Sequence, residues 1–366
     1  MRIFYATPGP AHQTRLPESR VWHNNLLLPL RDLGHDVVVF DYDYTDANRH
    51  LNPDIAADRK FVAANRPQFG ATLLQQLRAA HAEKPVDLFF SYFYSSYVHP
   101  DTIRNIRDMG IVTVNWYCNA SYQFHLIEEL APAYDYCLVP EKFRLEDYRK
   151  IGATPIYCQE AANPNIYKPR PVPLDYDVTF VGQRYGTRPY LLRGLLDSSI
   201  DVRAWGPHWQ EPDSRSWLAR SYHRLREVTG DKTTAIWNTQ FPIDRCGPPL
   251  SDDELIAMYS RSRISLGFTQ VAARNQIKQV RLRDFEATMS GAFYLVEQFD
   301  ELADFFEPDK EIVFFHDRAD LIDKARFYLG HHSARERIRK AGMRRARAEH
   351  TWQKRFEMVF NTIGLT

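Results

Sequence analysis

The sequence predicts an α/β protein of two domains, each a doubly wound parallel sheet, and three observations predict it. Short runs that are apolar on both faces recur along the chain, helical patterns separate them, and one proline-dense segment near the middle interrupts both. A strand covered by helices on both sides has no solvent face, so its residues need not alternate with polar ones. With 366 residues, 44% of them hydrophobic, the chain is long enough for about two domains with a core in each.

In the first half the strand candidates are RIFYAT (2–7), DVVVFDY (36–42), VDLFFSYF (86–93), VTVNWYC (112–118), YDYCLVP (134–140) and TPIYCQE (154–160). Helical patterns such as HNNLLLPLRDLG and PDTIRNIRDMG lie between them. The segment NPNIYKPRPVPLD (163–175) has no hydrophobic period, and its prolines cannot continue a helix or a ladder, so it connects two domains. The alternation then restarts with YDVTFVG (176–182), DVRAWG (201–206), RISLGF (263–268), GAFYLVE (291–297) and EIVFF (311–315). SDDELIAMYSRS and DRADLIDKARFYL supply helices among these strands. Residues 207–247, polar and aromatic, fit less well and are read as an insertion. The domains expected are therefore 1–165 and 166–350, with a helix at 351–366 returning to the first.

Composition excludes several classes of protein. The 47 basic and 46 acidic residues leave a formal charge of +1, which gives no general pull toward nucleic acid, and none is expected as a partner. Between residues 324 and 355, however, eleven Lys and Arg face only Glu336 and Glu349, as a solvated face or a weak membrane-surface contact would require. The four cysteines, at 118, 137, 158 and 246, have no CxxC spacing, so neither a disulfide framework nor a zinc site is suggested, and no metal ligands are assigned. No run approaches the roughly 20 apolar residues of a membrane span, and the opening RIFYATPG reads as a strand, so a cytoplasmic location is expected.

In an open α/β sheet ligands sit outside the carboxyl ends of the strands, which directs attention to the residues just after each strand. After VTFV come Gly182, Arg184, Thr187 and Arg188, with Pro189 opening the helix PYLLRGLL. Thr187 suits an N-cap and Pro189 the first turn, so free N–H groups and two guanidiniums would meet there, as a diphosphate requires or as an ordinary capped turn would show. In RLRDFEATMSGAFYLVE (281–297), Leu282, Phe285 and Met289 form a buried helical stripe. Arg283 and Glu286, three apart, share a neighbouring face, either as an internal ion pair or as two contacts to one ligand. A guanidinium suits phosphate oxygens, and a carboxylate suits vicinal ribose hydroxyls. Trp205, ending the strand DVRAW, is placed where a donor base could lie or where an aromatic closes the core.

At these residues the sequence resembles the GT-B glycosyltransferases, particularly the CgeB-like group with a "glycosyl transferases group 1" C-terminal domain. FEATMSG looks like the LEAMACG element of that superfamily, and YDVTFVGQRYGTRPYLL and KAGMRRARAEHTWQKRF are similar to the CgeB-like pattern in order and spacing. The resemblance implies two Rossmann-like domains facing across a cleft, with Glu286 on the nucleotide ribose. It also implies transfer of a sugar, a hexose in the simplest case, from a nucleoside-diphosphate-sugar, with UDP as the expected nucleotide and no further cofactor. Where many relatives carry another Glu eight positions before the ribose Glu, this chain has Lys278, a possible phosphate or sugar contact; where many carry acidic residues after the fourth strand, it has Asn119.

Charge developing on the departing diphosphate would be met by Arg184, Arg188 and Arg283, which makes metal-independent transfer the expectation. The acceptor, whose identity the sequence leaves open, needs a group after the strands of the first domain. His125 and Asn119 are the leading candidates there, with His12 and His99 behind them and Tyr92, Phe93, Tyr94 and Tyr97 as stacking surfaces or packing. Two other readings keep the fold and change the role: a sugar-nucleotide epimerase, and a non-catalytic sugar-nucleotide-binding protein.

Overall fold

The structure is a computed structural model describing residues 1–9, 19–52, 54–211, 239–271 and 274–365. It divides into two compact units, Met1–Asn163 with Thr351–Thr366, and Pro164–His350.

The first unit is built on a six-stranded sheet of β1 (Arg2–Ala6), β2 (Asp36–Val39), β3 (Leu88–Ser91), β4 (Val112–Trp116), β5 (Tyr136–Val139) and β6 (Pro155–Tyr157). Its order is β2-β1-β3-β4-β5-β6 and every pairing is parallel. β1 and β3 are buried along their whole length, which explains why neither alternates polar with apolar, while edge strand β2 exposes Asp36 and Val39. Helix α1 (Ala56–Glu83) lays Phe69, Leu73 and Leu77 on the sheet, and α2 (Pro100–Arg107) opens on a proline in its first turn.

The pattern HNNLLLPLRDLG is not one α-helix. It begins as a π-turn over His23–Leu27 and becomes α only at Leu28–Asp32. Pro29 has no N–H to return to the preceding turn, which leaves carbonyls there to be satisfied otherwise. Asn163 supplies part of the compensation: its Nδ2 donates to the Asn24 carbonyl at 2.8 Å and its N to Asn25 Oδ1 at 3.0 Å.

The second unit holds β7 (Tyr176–Val181), β8 (Val202–Trp205), β9 (Cys246–Gly247), β10 (Ser262–Gly267), β13 (Tyr294–Glu297) and β14 (Val313–Phe315), with β11 (Gln270–Val271) and β12 (Arg274–Lys278) as a separate antiparallel hairpin. The main sheet runs β14-β13-β10-β7-β8-β9, again parallel throughout. Around it lie α3 (Arg188–Asp197), α4 (Asp252–Arg261), α5 (Leu282–Met289), α6 (Arg318–Gly330) and α7 (His332–Glu349). α4 is closed by a capping box between Ser251 and Glu254, and α6 by the Asp317 side chain on the Asp320 N–H.

The last helix, α8 (Trp352–Ile363), belongs to the first unit. Trp352 sits edge-on to Trp116 at 5.0 Å and Phe356 edge-on to Phe90 at 5.7 Å, inside the same core as β1 and β3. Most of the insertion expected at 207–247 lies outside the described residues, as does His12. Among the described residues no helix is long and apolar enough to cross a membrane.

Candidate functional site

In the second unit the turns after β7 and β8 are locked together by glycines. Gly182 donates its N–H to the Trp205 carbonyl at 2.7 Å and accepts from Trp209 Nε1 at 2.6 Å. Gly206 has φ +137, and a Cβ on it would lie 2.4 Å from the Gly182 oxygen, so only glycine fits. A Cβ on Gly182 would lie 2.8 Å from Arg283 Nη1 and 2.6 Å from Phe180 Cζ, because the guanidinium already fills that space.

α3 starts one turn further on. Thr187 is at the N-cap position but makes no capping bond; its hydroxyl donates to Gln270 Oε1 at 3.0 Å. Arg188 is folded inward and only 6% exposed. Its guanidinium lies 3.7 Å over the Tyr185 ring, with Nη1 donating to the Gln183 carbonyl at 2.7 Å and Nη2 to Tyr185 Oη at 2.6 Å.

Arg281, immediately before α5, joins it: Nη2 donates to the Gln270 carbonyl at 2.7 Å and to the same Tyr185 oxygen at 3.3 Å. Tyr185 in turn donates to the Gln270 carbonyl at 3.0 Å. The Nε atoms of Arg188, Arg281 and Arg283 are all buried with no hydrogen-bond partner among the described residues. The oxygens that Arg188 and Arg281 do reach are all neutral.

Such a cluster is electrostatically costly. Burial above all pushes the Arg188 pKa down to about 9; Tyr185 opposes it, Arg281 and Arg283 add to the depression, and Glu297 opposes it least. Arg188 stays charged at neutral pH, and a bound anion would relieve the repulsion. At Arg283 burial again works against the charge, but Tyr259, Glu286 and Tyr294 hold its pKa above the ordinary value. Asp284 organises the entry to α5: its Oδ2 accepts the Arg281 N–H at 2.7 Å and its Oδ1 the Tyr294 hydroxyl at 2.7 Å. Burial pushes its carboxyl up to about 6, although those hydrogen bonds and the neighbouring arginines favour the charged form.

The structure thus brings Gly182, Arg188, Arg283 and Glu286 into one region. Glu286 is buried at 4% exposure, in the field of Arg283, rather than open on the helix surface. Arg184 turns the other way, with Nη2 on Gln240 Oε1 at 2.7 Å and Nη1 on the His208 carbonyl at 3.4 Å. Lys278 is ion-paired with Glu297 at 3.1 Å, so its charge is already answered. Trp205, half-buried, packs edge-on to Tyr176 at 5.2 Å and against Gly247.

In the first unit Asn119 follows β4, donating to Tyr92 Oη at 3.3 Å and accepting from Tyr122 Oη at 3.4 Å. His125 is exposed on the short 3-10 turn Phe124–Leu126. His99 occupies the N-cap position of α2 without a side-chain cap, and Tyr92, Phe93, Tyr94 and Tyr97 are buried packing. Sequence reasoning passed over two buried carboxylates just after β5 and β6, Glu141 and Glu160, 2% and 6% exposed. Glu141 Oε1 accepts the Ser121 N–H at 3.1 Å, and Glu160 helps hold the buried Cys118 thiol up. The strand-end rule, applied to YCLVPE and IYCQE, points to both.

The fold can be matched over its whole length. A sucrose-phosphate synthase from Thermosynechococcus elongatus superposes with a TM-score of 0.64 at 12% identity, covering 100% of this chain and 99% of that one. An alpha-glucosyltransferase, solved with UDP-glucose and DNA containing an abasic site, gives 0.63 at 12% identity, covering 100% and 99%. The fold is GT-B. A third GT-B structure, HepE of Anabaena in complex with UDP-glucose, matches with a TM-score of 0.60 at 10% identity and covers both chains fully. Residues 188–361 match a family model described as glycosyl transferase-like, a stretch that begins at Arg188 and includes the whole of α5. No curated protein is significantly similar to the chain by sequence.

Proposed function

We propose that the protein is a glycosyltransferase of CgeB-like type that moves a hexosyl unit from a nucleoside-diphosphate-sugar, UDP-sugar by preference, to an acceptor nucleophile. The single observation that carries this reading is the convergence of Arg188, Arg281 and Arg283 beside the opening of α3, each with an Nε lacking a described partner. A diphosphate answers that excess of charge, and the UDP-glucose in two of the matched GT-B structures supports the choice. The arginines stabilise the departing diphosphate where charge develops, so transfer proceeds without a metal. Loss of one well-aimed donor costs on the order of 10²-fold in rate.

Acceptor activation falls to the residues after β4, β5 and β6 of the first unit. His125 is the exposed base, and Asn119 holds the Tyr92 and Tyr122 hydroxyls. The test is hydrolysis of UDP-glucose, UDP-galactose and UDP-N-acetylglucosamine by the wild type in the presence and absence of chelator. Release of UDP that survives chelation supports metal-independent transfer. Binding of UDP without release from any of these sugars favours the non-catalytic reading, and conversion of the sugar without release favours the epimerase.

A further inference from the structure

Among the described residues, α7 is the helix richest in basic residues. Its inward side is spoken for: Ile338, Gly342 and Ala346 are buried, and Gly342 passes so close to the backbone that a Cβ would lie 2.2 Å from the Glu311 carbonyl. Its carboxylates are also committed. Glu336 holds Arg339 at 2.9 Å and Glu349 holds Arg345 at 2.7 Å.

What remains outward is a line of cations. Arg337, Lys340, Arg344 and Arg347 are all exposed and succeed one another at helical spacings of three and four, so they lie on one face. Ten residues of helix separate the first from the last, which places them along roughly 15 Å. Among the described residues none of the four has an ion-pair partner, and Arg347 donates only to the Pro164 and Tyr167 carbonyls. In the last turn of α6, just before α7 begins, Phe327 is 48% exposed and stacks on His331 at 3.9 Å.

A face like this is not what solubility alone calls for, since the chain as a whole is close to neutral and elsewhere answers its arginines with carboxylates. We propose that this face of α7 docks on an anionic lipid bilayer. A helix presents its outward row to a plane all at once, and the exposed aromatic in the turn before it suits the interface between headgroup and acyl chain. Nucleic acid is the poorer fit, because the row carries no interleaved stacking residues and the rest of the molecule adds no net positive field. Docking of this kind is weak, reversible and sensitive to salt, with each basic residue contributing about fivefold to partitioning.

The experiment is flotation of the full chain with vesicles of phosphatidylcholine alone or mixed with phosphatidylglycerol, at low and raised salt. The wild type is expected on the mixed vesicles only, and to leave them as salt rises. The triple variant Arg337→Gln/Lys340→Gln/Arg344→Gln, all surface positions, is expected to keep its melting temperature and its UDP response while partitioning roughly 100-fold less. Indifference of the wild type to anionic vesicles at low salt overturns the proposal, as does equal binding by the triple variant. Retention by a DNA duplex that depends on the same three residues, without retention by vesicles, overturns it in favour of a nucleic-acid surface.

Discussion

Arg281 shows how a residue can matter without standing out in a motif. Its backbone N–H is fixed by Asp284, its Nη2 shares the Tyr185 oxygen with Arg188, and its Nε is left over. Arg281→Gln is expected to weaken UDP binding at least about tenfold while leaving the melting temperature of the free protein unchanged or raised, because it removes one of three mutually repelling charges. Calorimetric titration beside a melting curve checks both halves. Glu286 separates two roles that its burial allows: as a ribose acceptor, Glu286→Gln lowers affinity for UDP and not stability, whereas as partner to the Arg283 charge it costs roughly 3 kcal/mol or more of folding energy. Asp284 predicts a pH signature. Its folded pKa is about 6 against an ordinary 3.8, so the native state holds the proton more tightly and the stability Asp284 contributes falls as pH rises from about 4 to 6. The advantage of wild type over Asp284→Asn should shrink across that window, by an amount on the order of 3 kcal/mol, and a difference independent of pH would remove the effect. At this scale the sequence pointed to Arg188, Arg283, Gly182 and Glu286 because each stands beside a strand end or on a helix with a clear stripe. It did not disclose that Arg188 turns inward, that Arg184 turns away, or that Tyr185 joins two guanidiniums, since those depend on side-chain packing across three separate segments.

At the scale of elements, the strands of both sheets were the most legible part. Runs such as RIFYA and LFFS are buried on both faces, and burial on both faces is what makes a continuous apolar run. The hairpin β11–β12 was not legible: QV and RNQIK are short and polar, and their pairing carries no apolar period, yet the hairpin brings the Gln270 carbonyl to Arg281 and Tyr185. Two-residue β9 escaped for the same reason, being recognisable as a strand only through its ladder to β8. The tightest joint is between the turns after β7 and β8. Gly206→Ala would combine an unfavourable backbone conformation with a carbon 2.4 Å from the Gly182 oxygen, and a loss of about 2–4 kcal/mol in urea unfolding is expected. A loss below about 0.5 kcal/mol would show that the joint yields freely.

At the scale of the molecule, the chain crosses back at its end. Residues after His350 join the unit that begins at Met1, and Trp352, Phe356, Val359 and Phe360 enter its core. Each large aromatic removed from such a core costs about 3–5 kcal/mol, so Trp352→Ala should lower the stability of the first unit by that much, measured by urea unfolding followed through tryptophan fluorescence. The arginine cluster in the second unit remains the feature on which the functional account rests. The most direct measurement is calorimetric titration of UDP into the wild type and into Arg188→Gln/Arg281→Gln. The account predicts a defined binding isotherm for the wild type that weakens at least about 100-fold in the double variant. A wild type that takes up no nucleoside diphosphate, or a double variant that binds UDP as tightly as the wild type does, would contradict it.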